Sequence, residues 1–301
     1  MGNTSGKHEE RGAIDSQEDK FDAWLSIPEG TTGERFAQAQ VPVIYNLPVL
    51  GTLRQQLNVK ISKNRRIFDC IKVDNALVFT DWSHNQLISC NSDGNNIRHI
   101  PLFYKPYYMT AVDSNTVAVS CSHDRFILIV NISIGSVIST IKTSGKCYGV
   151  SYDDNYLYAV IGRDKIHVMD LTGKVIRTIH LPSNSTVDIT VHRDRLVWIY
   201  MTSVHCRSLD GRLLWKFKNH KYENLCRVTT DDEGNVYVTD CFTSTVVVLS
   251  DDGKQYREFL TESDGLDTPH GIYFDRKENM LLACNLNDGN AFLIGVKKKH
   301  S

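Results

Sequence analysis

The stretch Val228-Thr229-Thr230-Asp231-Asp232-Glu233-Gly234-Asn235-Val236-Tyr237-Val238-Thr239-Asp240, continued by Val246-Val247-Val248-Leu249-Ser250-Asp251-Asp252-Gly253-Lys254, decides the fold. It reads as strand, acidic turn, strand, loop, strand, Asp-Gly turn and the onset of a fourth strand. Val, Tyr and Thr suit a pleated, half-buried surface. Asp and Asn bond their own turns, and Gly supplies positive φ without steric cost. Such a unit cannot bury its apolar faces alone and must stack against copies of itself.

Working outward, the same pattern recurs at Asp74-Asn75 with Ala76-Leu77-Val78-Phe79-Thr80, and at Asp113-Ser114-Asn115 with Thr116-Val117-Ala118-Val119. It returns at Asp153-Asp154-Asn155, Arg193-Asp194-Arg195 and Asp275-Arg276-Lys277-Glu278-Asn279, each followed by an apolar strand. A second hairpin turn follows in five units, at Gly94, Gly135, Gly173, Gly211 and Gly253. Units of about 40 residues with four strands each, arranged radially, form a β-propeller. The expected fold class is therefore all-β: a six-bladed β-propeller of four-stranded antiparallel blades over residues 51-299. Residues 1-50 form a polar tail, expected to be disordered. Its one apolar island, Phe21-Asp22-Ala23-Trp24-Leu25-Ser26-Ile27-Pro28, is a candidate docking peptide anchored by Phe21, Trp24 and Leu25.

The sixth unit is one strand short. Leu57, Val59 and Ile61 alternate as a half-buried strand should, so Arg54 to Ile61 is expected to close the ring beside Phe292 to Val296 and remove an open edge.

Composition limits the function. The 34 Lys and Arg balance 35 Asp and Glu, so net charge gives no general attraction to nucleic acid or anionic membrane. The start is polar rather than a secretory leader, and no apolar run approaches membrane-spanning length. Met1-Gly2-Asn3-Thr4-Ser5-Gly6 falls short of a myristoylation signal. The eight cysteines lack any Cys-x-x-Cys pair, which disfavours a zinc module. They are expected to be reduced thiols in a cytoplasmic protein.

The fifth unit, through its acidic turn, Gly234-Asn235-Val236-Tyr237-Val238-Thr239-Asp240 and Asp252-Gly253-Lys254, resembles an NHL repeat. Pro269-His270-Gly271-Ile272 is similar to the Pro-x-Gly-Ile that opens such repeats. The whole resembles the C-terminal propeller of invertebrate tripartite-motif-like proteins, which place RING, B-box and coiled-coil modules ahead of it and act in ubiquitin transfer. No cysteine precedes Cys70 and no heptad run is present, so ligase activity does not carry over. What the resemblance implies is the recognition half, a platform for protein or RNA.

In a propeller one face carries the loops between units and those between second and third strands. That face receives the candidate partner-binding residues Arg65, Arg66, Trp82, His84, Tyr104, Lys105, Tyr107, Arg125, Arg163 and Tyr222. The leading expectation is a non-catalytic module binding a protein with an acidic patch and a hydrophobic anchor. The alternative is single-stranded RNA, with Arg65, Arg66, Lys105, Arg125 and Arg163 along the backbone and Tyr107 stacking on a base. The acidic turns on the opposite face read as turn geometry rather than a calcium site.

A metal-dependent, lactonase-like hydrolase is the third possibility. However, Asp81, Cys121, Ile161, Tyr200, Asp240 and Cys284, which end the second strands, form too mixed a set. Cys70, Met109 and Gly149 on the inner strands offer no ligand cluster. His270 reads first as a structural histidine, with a place at the channel mouth as the alternative. No catalytic constellation, metal site, cofactor or nucleotide motif is expected.

Overall fold

The computed structural model describes residues 43–44, 47–59, 66–182 and 184–298. Among the described residues it is all-β, with two single-turn 3-10 segments, Trp82–His84 and Glu262–Asp264. Six antiparallel sheets follow one another along the chain. Blade one runs Ile67–Val73, Ala76–Asp81, Gln86–Asn91 and Arg98–Pro101, and blade two begins at Met109–Ala111. Blade three begins at Cys147–Asp153, blade four at Thr186–His192, blade five at Leu225–Thr230 and blade six at Pro269–Asp275. These first strands contact one another around the ring and so form the wall of the central channel.

The apolar core is six separate layers, one between each pair of neighbouring blades. Ile71 and Val78 meet Val117 and Leu128 between blades one and two. Tyr237 and Val248 meet Ile272 and Leu281 between blades five and six. Each blade is buried on both faces, which explains why the second strands read as nearly continuous apolar runs.

The ring closes as expected, with altered bounds. The closing strand is Val49–Asn58, antiparallel to Asn290–Lys298, with Gln56 opposite Phe292 and Leu53 opposite Ile294. A bulge between Leu53 and Gln55 changes the phase. Leu57 and Val59 therefore face the core while Leu50 and Leu53 stay exposed. Ile61 lies outside the described residues. Gly51 is needed here because a Cβ at that position would stand 2.7 Å from Phe259 of blade five. Val43–Ile44 adds a short parallel strand to the edge of blade five.

The turns carry the acidic residues for geometry, as expected. Asp231 Oδ1 accepts from the amides of Glu233 and Asn235 at 2.9 and 2.8 Å, and Oδ2 accepts from Asn235 Nδ2 at 2.8 Å. Asp170, Asp210, Asp252 and Asp275 bond turn amides in the same way. Of the expected polar tail, residues 1–42, with Phe21, Trp24 and Leu25, lie outside the described residues, whereas Val43–Ile44 and the start of Val49–Asn58 are strands. Among those described, no helix is long and apolar enough to cross a membrane.

Candidate recognition face and channel mouth

The inner strands carry a register shift at one level: between Ile67 and Cys70, Cys147 and Val150, Thr186 and Ile189, and Leu225 and Val228. A bulge re-aims side chains. Here it brings Asp69, Asp188 and Arg227 together, one residue away from the positions that simple alternation selects, and Tyr108, just ahead of the first strand of blade two, lies under the Arg227 guanidinium. Cys70, Met109 and Gly149 are thus not the channel-facing set. Gly149 is the space into which Asp188 fits: a Cβ there would lie 2.5 Å from Asp188 Oδ1.

The bulged amides are satisfied from the second strands. Thr80 Oγ1 accepts from Asp69 N, Ser120 Oγ from Tyr108 N and Thr239 Oγ1 from Arg227 N, at 2.9, 3.1 and 3.0 Å. This gives the Thr of the Thr-Asp pair its role. The Asp locks the following loop: Asp81 binds His84 N and Gln86 Nε2, and Asp240 binds Asn224 N and Thr243 N. The sixth member of that set is Asn285, opposite Pro269, rather than Cys284. Asp81, Asp240 and Asn285 thus hold loops.

Inner strands are stitched to the next blade by side-chain acceptors. Asp69 Oδ2 accepts from Met109 N at 2.6 Å, Ser151 Oγ from Val191 N at 2.9 Å and Asp188 Oδ2 from Val228 N at 2.9 Å. Arg227 joins blades across the channel. Its guanidinium donates to Asp69 through Nε and Nη2 and to Asp188 through Nη1, and lies 4.2 Å over the Tyr108 ring. All three charged side chains are buried. Burial pushes Asp69 up to about 7 and Asp188 up to about 6, against the attraction of Arg227. One guanidinium shared by two dehydrated carboxylates cannot hold both in their ordinary range. Every oxygen of both carboxylates is engaged by Arg227 or by backbone amides, so the pair plugs and fastens the ring.

Above this plug an aromatic cluster forms the mouth on the loop-rich face. Phe68 stacks on Tyr107 at 4.6 Å and meets Trp82 and His270 edge-on at 5.9 and 5.0 Å. Lys105 Nζ sits 3.9 Å over Trp82, and Arg163 4.3 Å over Tyr148. Cation–π contact of this kind occupies the ring face and holds the cation in place.

The structure therefore unites Trp82, Lys105, Tyr107 and Arg163. Arg66 joins them: its carbonyl accepts from Trp82 N at 3.1 Å, and its charge acts on the Tyr107 hydroxyl. Arg65 lies outside the described residues. His84 is exposed and bonded to Asp81, Tyr104 is half-buried against Phe126, and Arg125 is exposed at a left-handed loop position. Two tyrosines need correction as contact residues. Tyr107 is buried under Phe68, and Tyr222 is buried between blades four and five with its hydroxyl on Glu258. A wedge between blades requires a large ring, and that demand outweighs loop position.

Sequence reasoning missed the apolar groups on this face. Phe103 is 92% exposed and Phe242 58%, with Met201 also exposed. The available signal was an aromatic just past a Thr-Asp strand end, in Asp240-Cys241-Phe242, and an apolar neighbour to the buried Leu102. The cysteines were also misjudged. Cys226, in the bulge of blade five, and Cys241, just past its second strand, are joined in a disulfide. The bulge brings them together despite their separation of 15 residues. The other six are buried and free.

No protein family matches the chain, and no curated protein matches it significantly. Solved structures share its fold. A streptogramin B lyase superposes with a TM-score of 0.62 at 13% identity, covering 82% of this chain and 98% of that one. The virginiamycin B lyase of Staphylococcus aureus gives 0.62 at 14%, covering 81% and 99%. A protein of unknown function from Bacteroides thetaiotaomicron gives 0.64 at 14%, covering 83% and 76%. At such identities the likeness defines a class by fold, the six-bladed β-propeller, and nothing finer.

Proposed function

We infer that this chain is a non-catalytic recognition module that binds a protein partner through its loop-rich face. The observation that carries this is the exposure of Phe103 and Phe242 in loops of the same face that presents the exposed cations Lys105 and Arg125. Apolar anchors within a charged rim are what a protein hot spot requires. The partner's chemistry is then complementary: apolar pockets for the two phenylalanines, surrounded by carboxylates.

The RNA alternative is less well served, because its rings are already taken. Trp82 lies under Lys105, Tyr107 under Phe68, and Tyr104 on Phe126. A catalytic reading also lacks support in the channel, where Asp69 and Asp188 are consumed by Arg227 and by backbone amides. A fluorescent uridine-rich single strand tests the choice. The expected result is no saturable binding at physiological salt. Tight binding with a steep salt dependence that falls on Arg125→Glu would replace a protein partner with RNA.

A further inference from the structure

Three soft donors from two blades converge beside the channel mouth. Cys226 lies in the inner-strand bulge of blade five, Cys241 follows the second strand of that blade, and His270 opens blade six. Their sulfurs and one ring nitrogen all lie within 4.8 Å of one another, and all three residues are buried. The disulfide accounts for the two sulfurs and leaves the convergence of His270 unexplained.

His270 is held as a ligand is held. Its Nδ1 donates to the carbonyl of Phe68 at 2.6 Å, and a carbonyl only accepts, so the proton is on Nδ1 and the lone pair on Nε2. A carbonyl on one ring nitrogen is the usual outer support of a metal-bound imidazole. The ring is fixed between Phe68 and Tyr108.

The geometry points to a Cys2His site for zinc, formed by Cys226, Cys241 and His270 once the disulfide is reduced. Two thiolates and a neutral imidazole suit a borderline-soft divalent cation, and the charges sum to zero in a buried place. Formation is a balanced sequence. Two equivalents of a low-molecular-weight thiol reduce the disulfide to two protein thiols and are themselves oxidised to one disulfide. Zinc then displaces one proton from each protein thiol to solvent. Three protein donors leave the fourth tetrahedral position for water. Disulfide and metal exclude one another, so the site loads under reducing conditions only. It links blade five to blade six beneath the recognition face, independently of what that face binds.

The test uses the full chain, reduced and then freed of reductant without oxygen, and titrated with Co2+. The expected result is one equivalent bound, with a thiolate-to-cobalt charge-transfer absorption that Zn2+ abolishes. The chain kept oxidised shows no such absorption. Cys241→Ser and His270→Gln each weaken binding about tenfold or more, while Cys206→Ser leaves it unchanged. Should a variant fail to fold, alkylation of the reduced wild type decides: zinc protects Cys226 and Cys241 among its eight cysteines. Absence of the cobalt band in the reduced chain, its persistence in folded Cys241→Ser, or protection at other cysteines overturns the assignment.

Discussion

Arg227 reaches from blade five to Asp69 of blade one, donating from Nη2 to Oδ2 at 2.6 Å and from Nε to Oδ1 at 3.2 Å. The same guanidinium also meets Asp188 of blade four. One side chain thus ties three blades of a ring whose main apolar layers lie between neighbours. Arg227→Met leaves two buried carboxylates without their cation, and breaking a buried pair in this way costs about 3–5 kcal/mol. Urea unfolding measures it, and a loss below about 1 kcal/mol would contradict the fastening role. Adding Asp69→Asn and Asp188→Asn to Arg227→Met should recover part of the loss, because no unpaired charge then remains buried.

The same carboxylates give a pH signature. Asp69 and Asp188 take up protons more readily folded than unfolded, because burial raises them to about 7 and about 6. Their contribution is fully present below the ordinary carboxylate value near ~4. It is lost as pH rises through the raised values. His192, His205 and His270, pushed down by burial, slope the opposite way. The comparison is therefore wild type against Asp69→Asn. The stability difference in favour of wild type should shrink steadily from pH 4 to pH 8. A difference that grows over that range would reverse the assigned direction.

Closure of the ring rests on the inward half of the strand Val49–Asn58. Leu57 is buried against Leu282 and Leu293, whereas Leu53 is 51% exposed. Leu57→Ala should cost about 2–5 kcal/mol and Leu53→Ala within about 0.5 kcal/mol. Equal effects in thermal unfolding would mean that the strand does not seal blade six as described.

The Thr of the Thr-Asp pair is predicted to matter through its hydroxyl. Thr239 Oγ1 accepts from Arg227 N and donates to the carbonyl of His270 at 3.0 Å. Thr239→Val keeps the shape and strands the buried Arg227 amide, at about 1–3 kcal/mol. Thr243→Val, at the neighbouring loop, provides a partly buried comparison that should cost less.

Much of the fold was legible in the chain because its turns obey local rules. Asp231, Gly234 and Asn235 make their turn within five residues, and Leu57 and Val59 declare a strand by alternation. The channel was not legible in the same way. A bulge shifts the inner strands of blades one, three, four and five, so alternation selects Cys70 where Asp69 is the working residue. Arg227 and Asp69 are 158 positions apart, and no local pattern pairs them. Tyr222 occupies a loop position yet is drawn in as an inter-blade wedge. Phe103 and Phe242 escaped notice because exposed aromatics resemble core residues until their neighbours are placed.

The recognition face is tested most directly by removing its two exposed anchors. Phe103→Ser with Phe242→Ser touches no buried contact, so the unfolding temperature should stay within a few degrees of wild type. Tagged wild-type and variant chains are compared by quantitative affinity capture from the native cell extract, with ribonuclease-treated extract in parallel. The predicted result is a defined set of proteins, resistant to ribonuclease, whose recovery falls at least about tenfold with the variant, as loss of two anchors of 1–2 kcal/mol implies. An unchanged set on the folded variant, or one that vanishes with ribonuclease, would contradict a protein-binding face built on Phe103 and Phe242.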